Sequence, residues 1–190
     1  MSQEAFVKRP WSPAVLMDAE GLLKELSPRW LEGMDSEQAQ LGASLLQALC
    51  GIIANMAGQG GDEAREAELW LQDLEKTAQS RTPNERFVVL RISILNVVVH
   101  HISEQTFELA KSVQSGQTSA QDAAPLAKGF EKNVEECRQE ISLINLPEAT
   151  QALTAELRET QLDVKYINNP TSVPGSLRLR THIRDSRASN

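Results

Sequence analysis

Thr82-Pro83-Asn84-Glu85, followed from Arg86 to Ser103 by RFVVLRISILNVVVHHIS, is the stretch that decides the fold. Its composition pulls two ways. Val, Ile and Phe favour a strand. The four residues before them form a helix start: a Thr that can cap, Pro at the first helical position, and Glu three residues after the Thr to close a capping box. Periodicity decides between the two. At 100° per residue Arg86, Ser93, Asn96, His100, Ser103, Glu104 and Lys111 gather on one side, with Phe87, Leu90, Ile94, Leu95, Val98, Ile102 and Leu109 on the other. A strand would break that grouping. The expectation is one long helix from Pro83 to about Val113, central to the fold.

The flanking sequence repeats the helical grammar. Ser12-Pro13 starts a helix reaching about Leu26, with Trp11 stapled on Leu16, and Ser27-Pro28 starts a short turn. Asp35 and Gln38 cap a helix whose stripe is Leu41, Leu45, Leu49, Ile52 and Met56. Ala43, Ser44, Ala48, Gly51 and Ala54 lie mostly on its other side, which suggests a helix covered on both faces. Gly58-Gln59-Gly60-Gly61 ends it. Asp62 opens a helix running to about Ser80. Ser115 to Ser119 reads as a loop, and a helix begins near Pro125 with the stripe Leu126, Phe130, Val134, Cys137, Ile141 and Ile144. Asn145-Leu146-Pro147-Glu148 starts the last helix. The fold class expected is all-α: a five- or six-helix bundle over residues 1–167 and an extended basic tail over 168–190.

In the tail, Leu177, Leu179, Thr181 and Ile183 alternate with Arg178, Arg180, His182 and Arg184. That is the period of a strand with one apolar and one cationic face. A single strand in a helical chain must send its backbone groups to water, to side chains or to another chain. Leu177, Arg178, Leu179, Arg180, His182, Ile183 and Arg184 are therefore the candidate partner-binding residues, against the alternative of a disordered basic terminus.

Charge supports that choice. The 190-residue chain carries a net −7. From Asn168 onward four Arg stand against one Asp, a balance of +3, which leaves −10 on the preceding residues. The tail can thus lie on its own body or on a copy of it. An acidic body, and a tail without interleaved aromatics, argue against nucleic acid. Acidity argues equally against an anionic membrane surface. Phe87 to Val99, the most apolar stretch, is short and interrupted by Arg91, Ser93 and Asn96, so no membrane span is expected. The start of the sequence lacks the apolar core of a secretory signal. Two separated cysteines, Cys50 and Cys137, do not make a disulfide framework. A cytoplasmic location is expected.

Chemistry-bearing patterns are few. P-loop, Rossmann, GxSxG, HExxH and EF-hand motifs are missing from the sequence. Gly58 to Gly61 is followed by Asp62, Glu63 and Glu66, which would repel a phosphate at that helix end. Arg91, His101, Gln105 and Glu108 share the apolar arc of the long helix and form a possible interior ligand site. A metal is not expected there. Carboxylate-bridged metal bundles need Glu-x-x-His twice, whereas this chain has His101-x-x-Glu104 in reverse order and no second copy. No cofactor is expected, and both cysteines read as core residues. The functional expectation is a non-enzymatic protein-interaction module, self-associating or partner-binding through its tail. The alternative is a ligand-binding bundle, or an enzyme, built on the Arg91 cluster.

Overall fold

The computed structural model describes residues 13–144 and 146–170. The described residues are all-α, with seven helices and no strand. These are α1 (Pro13–Leu16), α2 (Ala19–Leu31), α3 (Ser36–Gln59), α4 (Gly61–Ser80), α5 (Pro83–Gln114), α6 (Ala120–Ser142) and α7 (Pro147–Asn168). The tail residues Leu177 to Arg184, and the Trp11 staple, lie outside the described residues.

Seven helices replace the expected five or six because the first predicted helix is two. Asp18 breaks it: its carboxylate accepts from the Gly21 amide at 3.0 Å and caps α2. Helix α2 then runs through Pro28, where the sequence suggests a new start. Proline there costs the amide bond to the Lys24 carbonyl, which lies on an exposed turn where water can replace it. A second boundary moves for the same kind of reason. Helix α6 starts at Ala120, ahead of Pro125, because Ser119 caps it by accepting from the Asp122 amide at 3.1 Å.

Other starts form as expected. Asp35 accepts from the Gln38 amide at 2.8 Å. The Thr82 amide donates to Glu85 Oε2 at 2.8 Å, and the Glu85 amide donates back to Thr82 Oγ1 at 3.4 Å. Between α3 and α4 the chain turns on Gly60, at φ 75° and ψ −172°, a region that favours glycine.

The chain falls into two compact units with their boundary between Ile94 and Leu95, inside α5. The first unit buries Leu22, Leu26 and Trp30 of α2, Leu46, Leu49, Cys50 and Ile53 of α3, Leu71 and Leu74 of α4, and Leu90 of α5. Gly42 lets helices approach closely here: a Cβ on it would stand 3.2 Å from Leu31 Cδ2 and 3.4 Å from Met34 Sδ. The expected second covered face of α3 is not there, since Ser44, Ala48 and Gly51 are exposed. The second unit buries Phe107 and Ala110 of α5, Ala123 and Ala127 of α6, and Val164, Tyr166 and Ile167 of α7 in one cluster.

Helix α5 therefore buries two stripes. In the first unit it buries Arg86 and Leu90, and in the second Leu95, Val99, Ile102, Ser103, Thr106, Phe107 and Ala110. A wheel drawn over all 32 residues averages the two. That is why it assigned Arg86 and Ser103 to the polar side and Val98 to the buried one. By length and composition alone, α3 and α5 each contain a stretch apolar enough to cross a membrane, of which 28% is buried inside the protein in each; core helices of water-exposed proteins, which are mostly buried, pass the same test.

Candidate functional site

The sequence-predicted interior cluster does not assemble inside the protein. Arg91 is half-buried and belongs to the first unit. His101, Gln105 and Glu108 belong to the second unit and are all exposed. Glu108 accepts from Lys111 Nζ at 3.3 Å, an exposed pair one turn apart. His101 and Gln105, four residues apart on one face of α5, do come together at the edge of a cleft. Their displacement from the interior follows from the stripe on this half of α5, which is centred on Val99, Ser103 and Ala110, about half a turn away.

The cleft has a volume of about 550 Å³ and lies between α5 and α6. Leu95, Ile102 and Cys137 are the buried parts of its lining. Val97 is half-buried, and Val98 is 40% exposed. From α6 come Asn133, Glu136 and Glu140, all exposed, so the carboxylates stand at the rim. Lys132 pairs with Glu136 at 3.4 Å, one turn back on the exposed side. No Lys or Arg lines the cleft among the described residues. Aliphatic lining with an acidic rim suits side chains that are apolar at the base and cationic at the edge. It is larger than two other clefts in this unit, of about 190 and 310 Å³, which lie between α6 and α7.

Neither thiol is poised for chemistry. Burial pushes Cys50 from its ordinary 9.0 up to about 11. Burial also raises Cys137, and the Glu136 and Glu140 carboxylates beside it push in the same direction. Both side chains are therefore protonated near neutral pH, as poor nucleophiles. No group of three or more His, Cys, Asp or Glu side chains is placed to hold a metal ion among the described residues. His100, placed on the polar side by its spacing, approaches Glu156 of α7 with Nδ1 3.4 Å from Oε1.

Sequence reasoning missed two buried ionisable side chains, Asp163 of α7 and Arg86 of α5. Arg86 is only 7% exposed. Its Nε donates to the Trp30 carbonyl at 3.1 Å, Nη1 donates to the Arg81 carbonyl at 3.1 Å, and Nη2 donates to the Glu32 carbonyl. Trp30 and Glu32 lie at the C-terminal end of α2, where orphan carbonyls and the negative end of the helix dipole favour a cation. The guanidinium closes that helix end and ties it to α5. No local motif in the sequence announces such a contact, because its two partners at the end of α2 lie more than fifty residues away.

Compared with known proteins, the chain matches no family model, no curated protein and no solved structure.

Proposed function

We propose that this protein is a non-enzymatic protein-interaction module, a helical bundle that engages a partner chain or a second copy of itself through its C-terminal tail. The observation that carries this reading is the tail's alternation. Leu177, Leu179, Thr181 and Ile183 interleave with Arg178, Arg180, His182 and Arg184 in a chain whose described residues contain no strand to pair with them. An extended segment of that pattern satisfies its backbone and its apolar face most readily against another surface. The acidic body supports a protein partner over a nucleic acid. Two buried cysteines that form no disulfide are in keeping with a proposed cytoplasmic setting.

The test is a truncation after Asn169. Circular dichroism should show the helices retained, while light scattering and affinity capture should show assembly or partner binding lost. An unchanged solution mass together with unchanged captured partners would sink the proposal.

A further inference from the structure

We infer that the cleft between α5 and α6 is the seat of the chain's own C-terminal segment, Leu177 to Arg184. The inference rests on the reading of that segment as a recognition element, and names the surface of its own chain that the segment occupies when no partner holds it.

Three independent matches support it. The first is chemical. Leu95, Val97, Val98 and Ile102 offer an aliphatic lining to Leu177, Leu179 and Ile183, and a cleft of about 550 Å³ admits several such side chains but not a helix. Because the cleft is open to water, the outer edge of an extended backbone stays hydrated and needs no strand partner.

The second match is electrostatic and metric. Glu136 and Glu140 stand one helical turn apart on the rim, about 6 Å along the axis. Arg178 and Arg180, two residues apart in an extended chain, are spaced by about 6.6 Å. With the apolar face down, both arginines turn outward, and their long side chains can bend over the rim to the carboxylates. The Lys132 contact to Glu136 is an exposed pair of the kind that yields readily to a competing guanidinium.

The third match is reach. Helix α7 ends at Asn168, and its last turn packs with Ala123 and Ala127 near the start of α6. The centre of the cleft, at Cys137, lies ten residues further along α6, about 15 Å away along its axis. The seven steps from Pro170 to Leu177 can span about 23 Å when extended. Attachment to the same chain also gives the segment a high effective concentration at the cleft, which favours the chain's own tail over a free one.

The full-length protein provides the test. Pairing Leu179→Cys with Val98→Cys places a thiol on the segment and another on the cleft wall. Leu179→Cys with Leu162→Cys is the control, because Leu162 is 39% exposed, matching Val98, yet lies outside the cleft lining. With Cys50→Ala and Cys137→Ala removing the native thiols, of which Cys137 lines the cleft, and Leu179→Cys alone as the background, mild oxidation should cross-link the Val98 pair within a monomer at least tenfold faster than the control. Reversing the rim with Glu136→Lys and Glu140→Lys should slow it several-fold at low salt. Equal rates at the two positions, or a rate unmoved by charge reversal, would overturn the inference. A cross-link found between two chains would overturn it in favour of a second copy's tail. If the cross-link fails while truncation after Asn169 still abolishes assembly, the proposed function stands and only its seat is wrong.

Discussion

The two units on either side of Ile94 solve burial differently. The first closes around large apolar side chains: Leu22, Trp30, Leu46, Leu49, Ile53, Leu71, Leu74 and Leu90 are all essentially inaccessible. Its buried polar groups include Arg86, each of whose three side-chain nitrogens donates to a carbonyl, and the Trp30 indole N–H, which has no hydrogen-bond partner among the described residues. The second unit has fewer large side chains at that depth, Leu153, Leu157 and Ile167, and buries Ser103, Thr106, Thr150, Thr160 and Asp163 among them. Several of these hydroxyls fold back onto their own helices, as Thr106 does to the Ile102 carbonyl at 2.7 Å and Thr160 to the Glu156 carbonyl at 2.9 Å. The clefts described above all lie in this unit. A core of large aliphatic side chains favours stability, whereas small and hydroxylated residues fill less space and leave relief at the surface.

The contrast breaks most visibly in the core. Leu49→Ala in the first unit should cost about 3–5 kcal/mol, near the top of the range for such changes, because its tightly packed neighbours cannot collapse into the space. Leu153→Ala should cost less, about 2–3 kcal/mol, because the cleft beside its neighbours Thr154 and Leu157 leaves the site room to collapse. Urea denaturation of both variants measures the difference, and equal losses would erase the distinction between the units.

Arg86 comes next. Arg86→Met keeps much of the apolar stem but leaves the carbonyls of Trp30 and Glu32 without their charged donor. A loss of about 2–3 kcal/mol is expected. Arg86→Lys should recover only part of it, because an ammonium cannot reproduce the guanidinium's fork. Full recovery by lysine would mean that charge alone, without the fork geometry, holds the end of α2.

The smallest effect belongs to the capping box of α5. Thr82→Ala should cost about 1 kcal/mol. The hydrogen bonds from the Thr82 amide and hydroxyl hold Glu85 below its ordinary 4.5, with Arg81 adding a smaller charge contribution. A carboxylate lowered in the folded state stabilises fully above the unfolded value. This contribution is therefore present above pH 4.5 and is lost as pH falls from there through the folded pKa. Glu85→Gln should flatten that part of the stability profile, and an unchanged acid limb would remove the box from the account.

Much of the helical layout was legible because its signals are local. The Asp35 and Thr82 caps, the glycine turn at Gly60 and the proline start at Pro147 each act within a few residues of their own backbone. Where local signals competed, the reading slipped. Pro28 and Pro125 read as starts, yet both sit inside helices, because a better cap upstream and an exposed carbonyl made the proline tolerable. The candidate site was less legible. Val98 looked buried, and nothing in the spacing singles out Glu136 and Glu140 or says that α5 and α6 leave an open cleft between them.

The sequence by itself determined that the chain forms helices, where most of them begin, and that its tail alternates apolar and cationic residues. Periodicity and capping are properties of neighbouring residues, so they survive without knowledge of the fold. Only the tertiary structure decided which face of α5 is buried in each unit, that Arg86 closes α2, and that His101 lies at the rim of a cleft and not in a core. Those outcomes depend on which distant helices pack against each turn, and a helical period shared by two different stripes cannot report that.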